Sequence, residues 1–94
     1  MSSRLTVQFN IQDGKAGEFE QAVGAATRKV KAEDKGCEMY DLFKSVDDDT
    51  RYVLVESWAT KEDLEAHGSS PGAAEMGKIG PFLAGRPTLH RYED

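Results

Sequence analysis

The segment Arg51–Trp58 limits the possible folds more than any other part of the chain. Read as a strand, it sets Tyr52, Leu54, Glu56 and Trp58 on one face and Val53, Val55 and Ser57 on the other, because successive side chains of an extended backbone point to opposite sides. Both faces carry bulky apolar groups, so both need cover. With 94 residues, 38% of them hydrophobic, there is material for one domain, read over residues 1–94, and one core. That core covers one face. A second copy of the chain is the simplest cover for the other, which predicts a homodimer.

The remaining elements follow from periodicity and punctuation. Arg4–Ile11 alternates, with Leu5, Val7, Phe9 and Ile11 on one side, and reads as the first strand. Asp13-Gly14 breaks it. From Lys15 to Ala32 the residues Phe19, Ala22, Val23, Ala26 and Val30 recur at helical spacing, one stripe facing a core. After Gly36, Cys37–Val46 reads as a second strand and Asp47-Asp48-Asp49-Thr50 as a turn leading back antiparallel into Arg51–Trp58. Thr60-Lys61-Glu62-Asp63 has the form of a helix start, with Leu64 and His67 one turn apart behind it. Gly68-Ser69-Ser70-Pro71-Gly72 reads as a loop, and Met76, Ile79, Phe82 and Leu83 as a weak helical pattern diluted by glycine. Five of the nine glycines lie between Gly68 and Gly85, which predicts local mobility. Thr88–Tyr92 closes the chain as a strand. The order strand, helix, strand, strand, helix, strand predicts an α+β, ferredoxin-like βαββαβ fold with an antiparallel four-stranded sheet. Helices would cover one face of it. Two such sheets packed through their open faces would form a dimeric α+β barrel and bury Val53 and Val55.

Charge and composition exclude several functions. Twelve Lys and Arg stand against 17 Asp and Glu, a formal charge of −5, the wrong sign for nucleic acid or an anionic membrane surface. No apolar run is long enough to span a bilayer, and the first residues lack the apolar core of a secretion signal. A cytoplasmic location is the expectation. The single cysteine, Cys37, has no internal disulfide partner, and two histidines are too few for the usual Cys/His zinc sites. The Asp47–Asp49 run has Tyr52 where a calcium loop needs its tight-turn glycine. No metal is therefore expected, and no phosphate-binding glycine motif is present.

One constellation carries chemistry. Glu56 and Trp58 share a face of the third strand near its exit into the helix bearing His67, so a carboxylate, an indole and an imidazole can converge. Together they offer a proton acceptor, a flat apolar wall and a residue type that titrates near neutrality. That set suits an aromatic ligand with an acidic hydroxyl. Each residue also has a plainer reading: Glu56 as a salt-bridged surface group, Trp58 as core, and His67 as a helix terminator beside Gly68. His90 reads as surface, and Cys37 as a small buried hydrophobe.

Asp13-Gly14-Lys15, Phe19, Gly36-Cys37 with Tyr40 and Leu42 behind, and Glu56-x-Trp58 followed by Leu64 and His67 resemble, in that order, the antibiotic-biosynthesis-monooxygenase family, in particular its small quinol monooxygenases. The resemblance implies a dimeric α+β barrel with a pocket in each subunit, in which some members oxidise phenols or quinols with O₂ and no bound cofactor. Carried onto this chain, His67 or Glu56 would be the catalytic base, and Trp58, Tyr40, Val7, Leu64 and Phe82 would line the substrate pocket. Triplet dioxygen reacts slowly with closed-shell molecules, and deprotonating a bound quinol would supply the electron-rich anion that reaction needs. Val7 stands where haem-degrading members carry an asparagine, so haem degradation is not the expected activity. Gly72 and Ala73 stand where many members carry a histidine and an aromatic residue, and are expected to widen that wall. An isomerase or other proton-transfer enzyme acting on a small oxygenated metabolite through the same His67 and Glu56, and a non-catalytic binding dimer, are the alternatives.

Overall fold

Alternating apolar residues make the four strands, and their register decides what each side chain meets. In the computed structural model, which describes residues 2–93, they are β1 (Ser3–Asn10), β2 (Cys37–Lys44), β3 (Arg51–Trp58) and β4 (Thr88–Glu93). The first and last residues of the 1–94 domain reading lie outside the described residues. The strands pair antiparallel in the order β2-β3-β1-β4. α1 (Ala16–Glu33) joins β1 to β2, while α2 (Lys61–His67), α3 (Pro71–Met76) and a 3₁₀ turn (Gly77–Phe82) join β3 to β4. This is the α+β, ferredoxin-like arrangement.

Directly paired residues share a face. Four rows run across the helix-covered face: Lys44, Tyr52 and Phe9; Leu42, Leu54 and Val7; Tyr40, Glu56 and Leu5; Cys37, Trp58 and Ser3. A bulge between Cys37 and Met39 brings both Cys37 and Tyr40 onto this side. α1 lays Phe19, Val23, Ala26 and Val30 over the sheet, with the Phe19 ring 5.3 Å from Phe9 and 5.0 Å from Tyr52. The opposite face carries Phe43 beside Val53, Asp41 beside Val55, and Tyr92 in line with Arg4 and Ser57. Val53 and Val55 are half-buried there, and Phe43 and Tyr92 are 48% and 53% exposed.

Two segments differ from the sequence expectation. β2 ends at Lys44 rather than Val46, because Asp48 turns the chain early: its Oδ1 accepts from the Thr50 amide at 3.0 Å and the Thr50 hydroxyl at 2.7 Å. Val46 is left fully exposed at the hairpin tip. Of the expected loop at Gly68–Gly72, Gly68–Ser70 do turn the chain, but Pro71 and Gly72 already belong to α3. Ser70 caps it, its Oγ accepting from the Ala73 amide at 3.1 Å, and Pro71 occupies the first turn, where a missing N–H costs nothing. Nor does Gly72 widen a wall. A Cβ at Gly72 would lie 2.5 Å from Val30 Cγ2, so the missing side chain lets the α3 backbone rest directly on α1.

Gly36 is the second position where only glycine fits. Its φ is +79°, and a Cβ would meet the Asp63 carboxylate at 2.1 Å, while its carbonyl accepts from the Ala59 amide at 2.8 Å. The α1–β2 corner is thereby fixed against the first turn of α2. Asp34, two residues earlier, is held facing the end of that helix.

Candidate active site

Two local rules bring the site together. Strand alternation puts Glu56 and Trp58 on the inner face of β3, where they are 4% and 0% exposed. The Thr60 cap, whose hydroxyl accepts from the Asp63 amide at 3.0 Å, starts α2 so that His67 at its far end returns over Trp58. The imidazole and indole stack with centroids 4.6 Å apart and planes 29° apart. Tyr40 stands edge-on to both rings, at 5.5 Å from His67 and 6.5 Å from Trp58.

Polar contacts order the cluster. Trp58 Nε1 donates to Glu56 Oε1 at 3.0 Å. His67 Nε2 faces the same oxygen at 3.9 Å, too far for a hydrogen bond. On its other side His67 Nδ1 lies 2.5 Å from Asp34 Oδ2. An ionised carboxylate only accepts, so Nδ1 carries a proton and, in the neutral ring, Nε2 presents its lone pair toward Glu56. Ser70 Oγ donates to the same Asp34 oxygen at 2.8 Å. The result is a buried row of acid, imidazole and acid in which the central ring is oriented from behind and can exchange a proton in front.

Burial raises the Glu56 carboxyl above its ordinary value; the Trp58 N–H and a positive charge on His67 pull the other way. Burial and the Glu56 charge likewise push the Tyr40 phenol well above its ordinary value. Cys37 is half-buried, and burial, followed by Glu56 and Asp34, raises its thiol, which disfavours a nucleophilic role. His90 is exposed.

The raised Glu56 pKa links stability to pH. In the unfolded chain this carboxyl titrates near 4.5; folded, it holds its proton to higher pH. Its favourable contribution is therefore complete below about 4.5 and lost as pH rises through the folded pKa. Against Glu56→Gln, the wild type is expected to lose about 1.4 kcal/mol for each unit separating the two pKa values. Urea unfolding of both proteins from pH 4 upward checks this, and parallel stability curves would contradict it.

The other candidate residues divide. Leu64, one turn before His67, and Val7, in the row next to Glu56, are buried in the core. Phe82 is not brought to the cluster. Its carbonyl accepts from the Gln12 amide at 2.9 Å, beyond the Asn10 end of β1, whereas Trp58 pairs with Ser3 at the other end. Asp34 and Ser70, the second expected only as a loop residue, complete the site; Ser70-Pro71 carries a legible helix-start signal. The Asp34 contact, 33 positions from His67, has no local signature.

Two cavities open elsewhere. One of about 460 Å³ lies between α1 and β2–β3, and one of about 350 Å³ lies on the helix-free face beside Phe43 and Val53. Neither is lined by Glu56, Trp58 or His67. Among the described residues, no cluster of three or more His, Cys, Asp or Glu is arranged to hold a metal ion, and no helix is long and apolar enough to cross a membrane.

Comparison with known proteins agrees with this architecture. The family model described as antibiotic biosynthesis monooxygenase matches residues 3–78. A crystal structure from Caulobacter crescentus, named a "putative antibiotic biosynthesis monooxygenase", superposes with a TM-score of 0.91 at 29% identity over 99% of this chain and 89% of that one. Rv0793 from Mycobacterium tuberculosis gives 0.88 at 19% identity, over 100% and 95% of the two chains. A conserved protein from Methanosarcina mazei gives 0.91 at 15%, over 100% and 93%. These last two share the fold. No curated protein matches the chain.

Proposed function

Because the chain belongs to the antibiotic biosynthesis monooxygenase family, we propose that it oxidises a quinol or related polyphenol with O₂, without a cofactor, at the Glu56–Trp58–His67 cluster. The observation that carries this reading is the buried row Asp34–His67–Glu56 laid against Trp58 and Tyr40. Asp34 holds the Nδ1 proton, so His67 Nε2 is free to take the hydroxyl proton of the substrate, with Glu56 as the alternative acceptor. The quinolate gives one electron to O₂, and the semiquinone and superoxide combine into a peroxide. Loss of water leaves a hydroxylated quinone, so one oxygen atom enters the product and the other leaves as water. Trp58 and Tyr40 hold the ring, Leu64 and Val7 supply apolar walls, and exclusion of water protects the radical pair. The Tyr40, Trp58 and His67 rings are in contact, so in this proposal the substrate ring enters by parting them.

Oxygen uptake with a panel of substituted hydroquinones tests the reading. Consumption of one O₂ per quinol, with ¹⁸O from labelled O₂ in the product, is expected. Proton exchange from a hydroxyketone without O₂ consumption would assign the cluster to isomerase chemistry instead.

The working unit in this proposal is a homodimer with the helix-free sheet faces packed together, because Phe43, Val53, Val55 and Tyr92 form an apolar surface there. Val53→Asp places a charge in the middle of that face. Sedimentation is expected to show the wild type at twice the 10.4 kDa chain mass and the variant as a folded monomer; a monomeric wild type would refute the dimer.

A further inference from the structure

We propose that the seam between α1 and the edge strand β2 binds a small organic monoanion with an apolar body, such as an aromatic carboxylate, at a site separate from the Glu56–His67 cluster. The seam is pinned at both ends. Lys31 Nζ meets Asp41 Oδ1 at 2.6 Å at one end, and at the other Glu20 is held by Lys44 at 3.5 Å and by the Tyr52 hydroxyl. Between the pins the small residues Gly24 and Thr27 of α1 and Leu42 of β2 line a cavity of about 460 Å³. That volume lies within the range of small-molecule sites.

The lining selects for charge and shape. Val23 and Leu42 make an apolar floor, while Arg28 and Lys44 stand at the rim. Tyr52 and Lys44 both stabilise the ionised form of Glu20 and hold its carboxyl below the ordinary value, so its negative charge is already answered. Arg28 has no carboxylate partner among the described residues. A guanidinium beside an apolar trough, in a chain of net charge −5, fits one carboxylate through paired N–H donors. A dianion would set its second charge against Glu20. The cavity shares no lining residue with the quinol cluster, and this site stands whether or not that reading does.

Titrating 2-naphthoate into ¹⁵N-labelled protein tests the proposal. Amide shifts are expected at Gly24, Thr27, Leu42 and Lys44. Arg28→Gln, an exposed substitution that leaves the core intact, is expected to weaken naphthoate binding about tenfold. It should leave the already weak binding of 2-naphthalenemethanol, the same body without the charge, unchanged. Gly24→Leu fills the trough and should abolish both. The proposal is overturned if naphthoate does not bind at millimolar concentration. It is equally overturned if shifts centre on Trp58 and His67 or on Phe43 and Val53, or if Arg28→Gln binds naphthoate like the wild type.

Discussion

Replacing His67 by alanine is expected to lower hydroquinone turnover by about 10²- to 10⁴-fold, the range typical of a lost general base. The argument rests on the two sides of the ring. Nδ1 is tied to Asp34 at 2.5 Å and Nε2 faces the cluster interior, so this imidazole is oriented before substrate arrives. Alanine also removes the ring stacked on Trp58, and the chemical effect must be separated from the packing one. His67→Phe does this: it keeps a flat ring against the indole and provides no proton acceptor. Both variants are expected to lose kcat with their circular dichroism retained. Asp34 acts through His67 as a positioning residue, so Asp34→Asn should lower kcat more than it alters KM and displace the pH–rate profile. Full turnover by His67→Phe would move the base to Glu56.

Trp58→Ala is expected to cost about 3–5 kcal/mol of folding stability, the usual range for truncating a large buried side chain. Trp58 is fully buried, and three further interactions go with it. Glu56 loses its 3.0 Å N–H donor, His67 its stacking partner and Tyr40 one of its two edge-on neighbours. Against a total stability of about 5–15 kcal/mol for a domain of this kind, the variant approaches the unfolding threshold. Trp58→Phe keeps most of the apolar area and loses the donor, so its cost should fall nearer the 1–3 kcal/mol of an unsatisfied buried polar group. Urea midpoints measure both. A Trp58→Ala midpoint equal to that of the wild type would show that the indole is not packed as described.

The parts of this molecule that obey local rules were legible before any coordinates. Alternation in Arg51–Trp58 separated Glu56 and Trp58 from Val53 and Val55, and Thr60-x-x-Asp63 announced α2 and the direction in which His67 returns. What escaped was non-local or depended on two competing local signals. Asp34 meets His67 across 33 positions, a distance set by the Gly36 corner and the seating of Asp63 against it. Ser70-Pro71 is a helix start embedded in a glycine-rich stretch, and the glycines dominated the reading. Gly72 looked like empty space, yet a residue without a side chain serves equally well to let two helices touch. Phe82 shares the apolar periodicity of its segment, but periodicity says nothing about which end of a strand that segment reaches.

The withdrawn thiol of Cys37 has a practical use. Burial and neighbouring carboxylates hold it in the protonated, slow-reacting form, while the hairpin tip at Val46 is fully open to solvent and lies at the far end of β2 from Trp58. A fluorophore or spin label attached through Val46→Cys at mildly alkaline pH would modify one position selectively, with no need to strip the chain of its native cysteine.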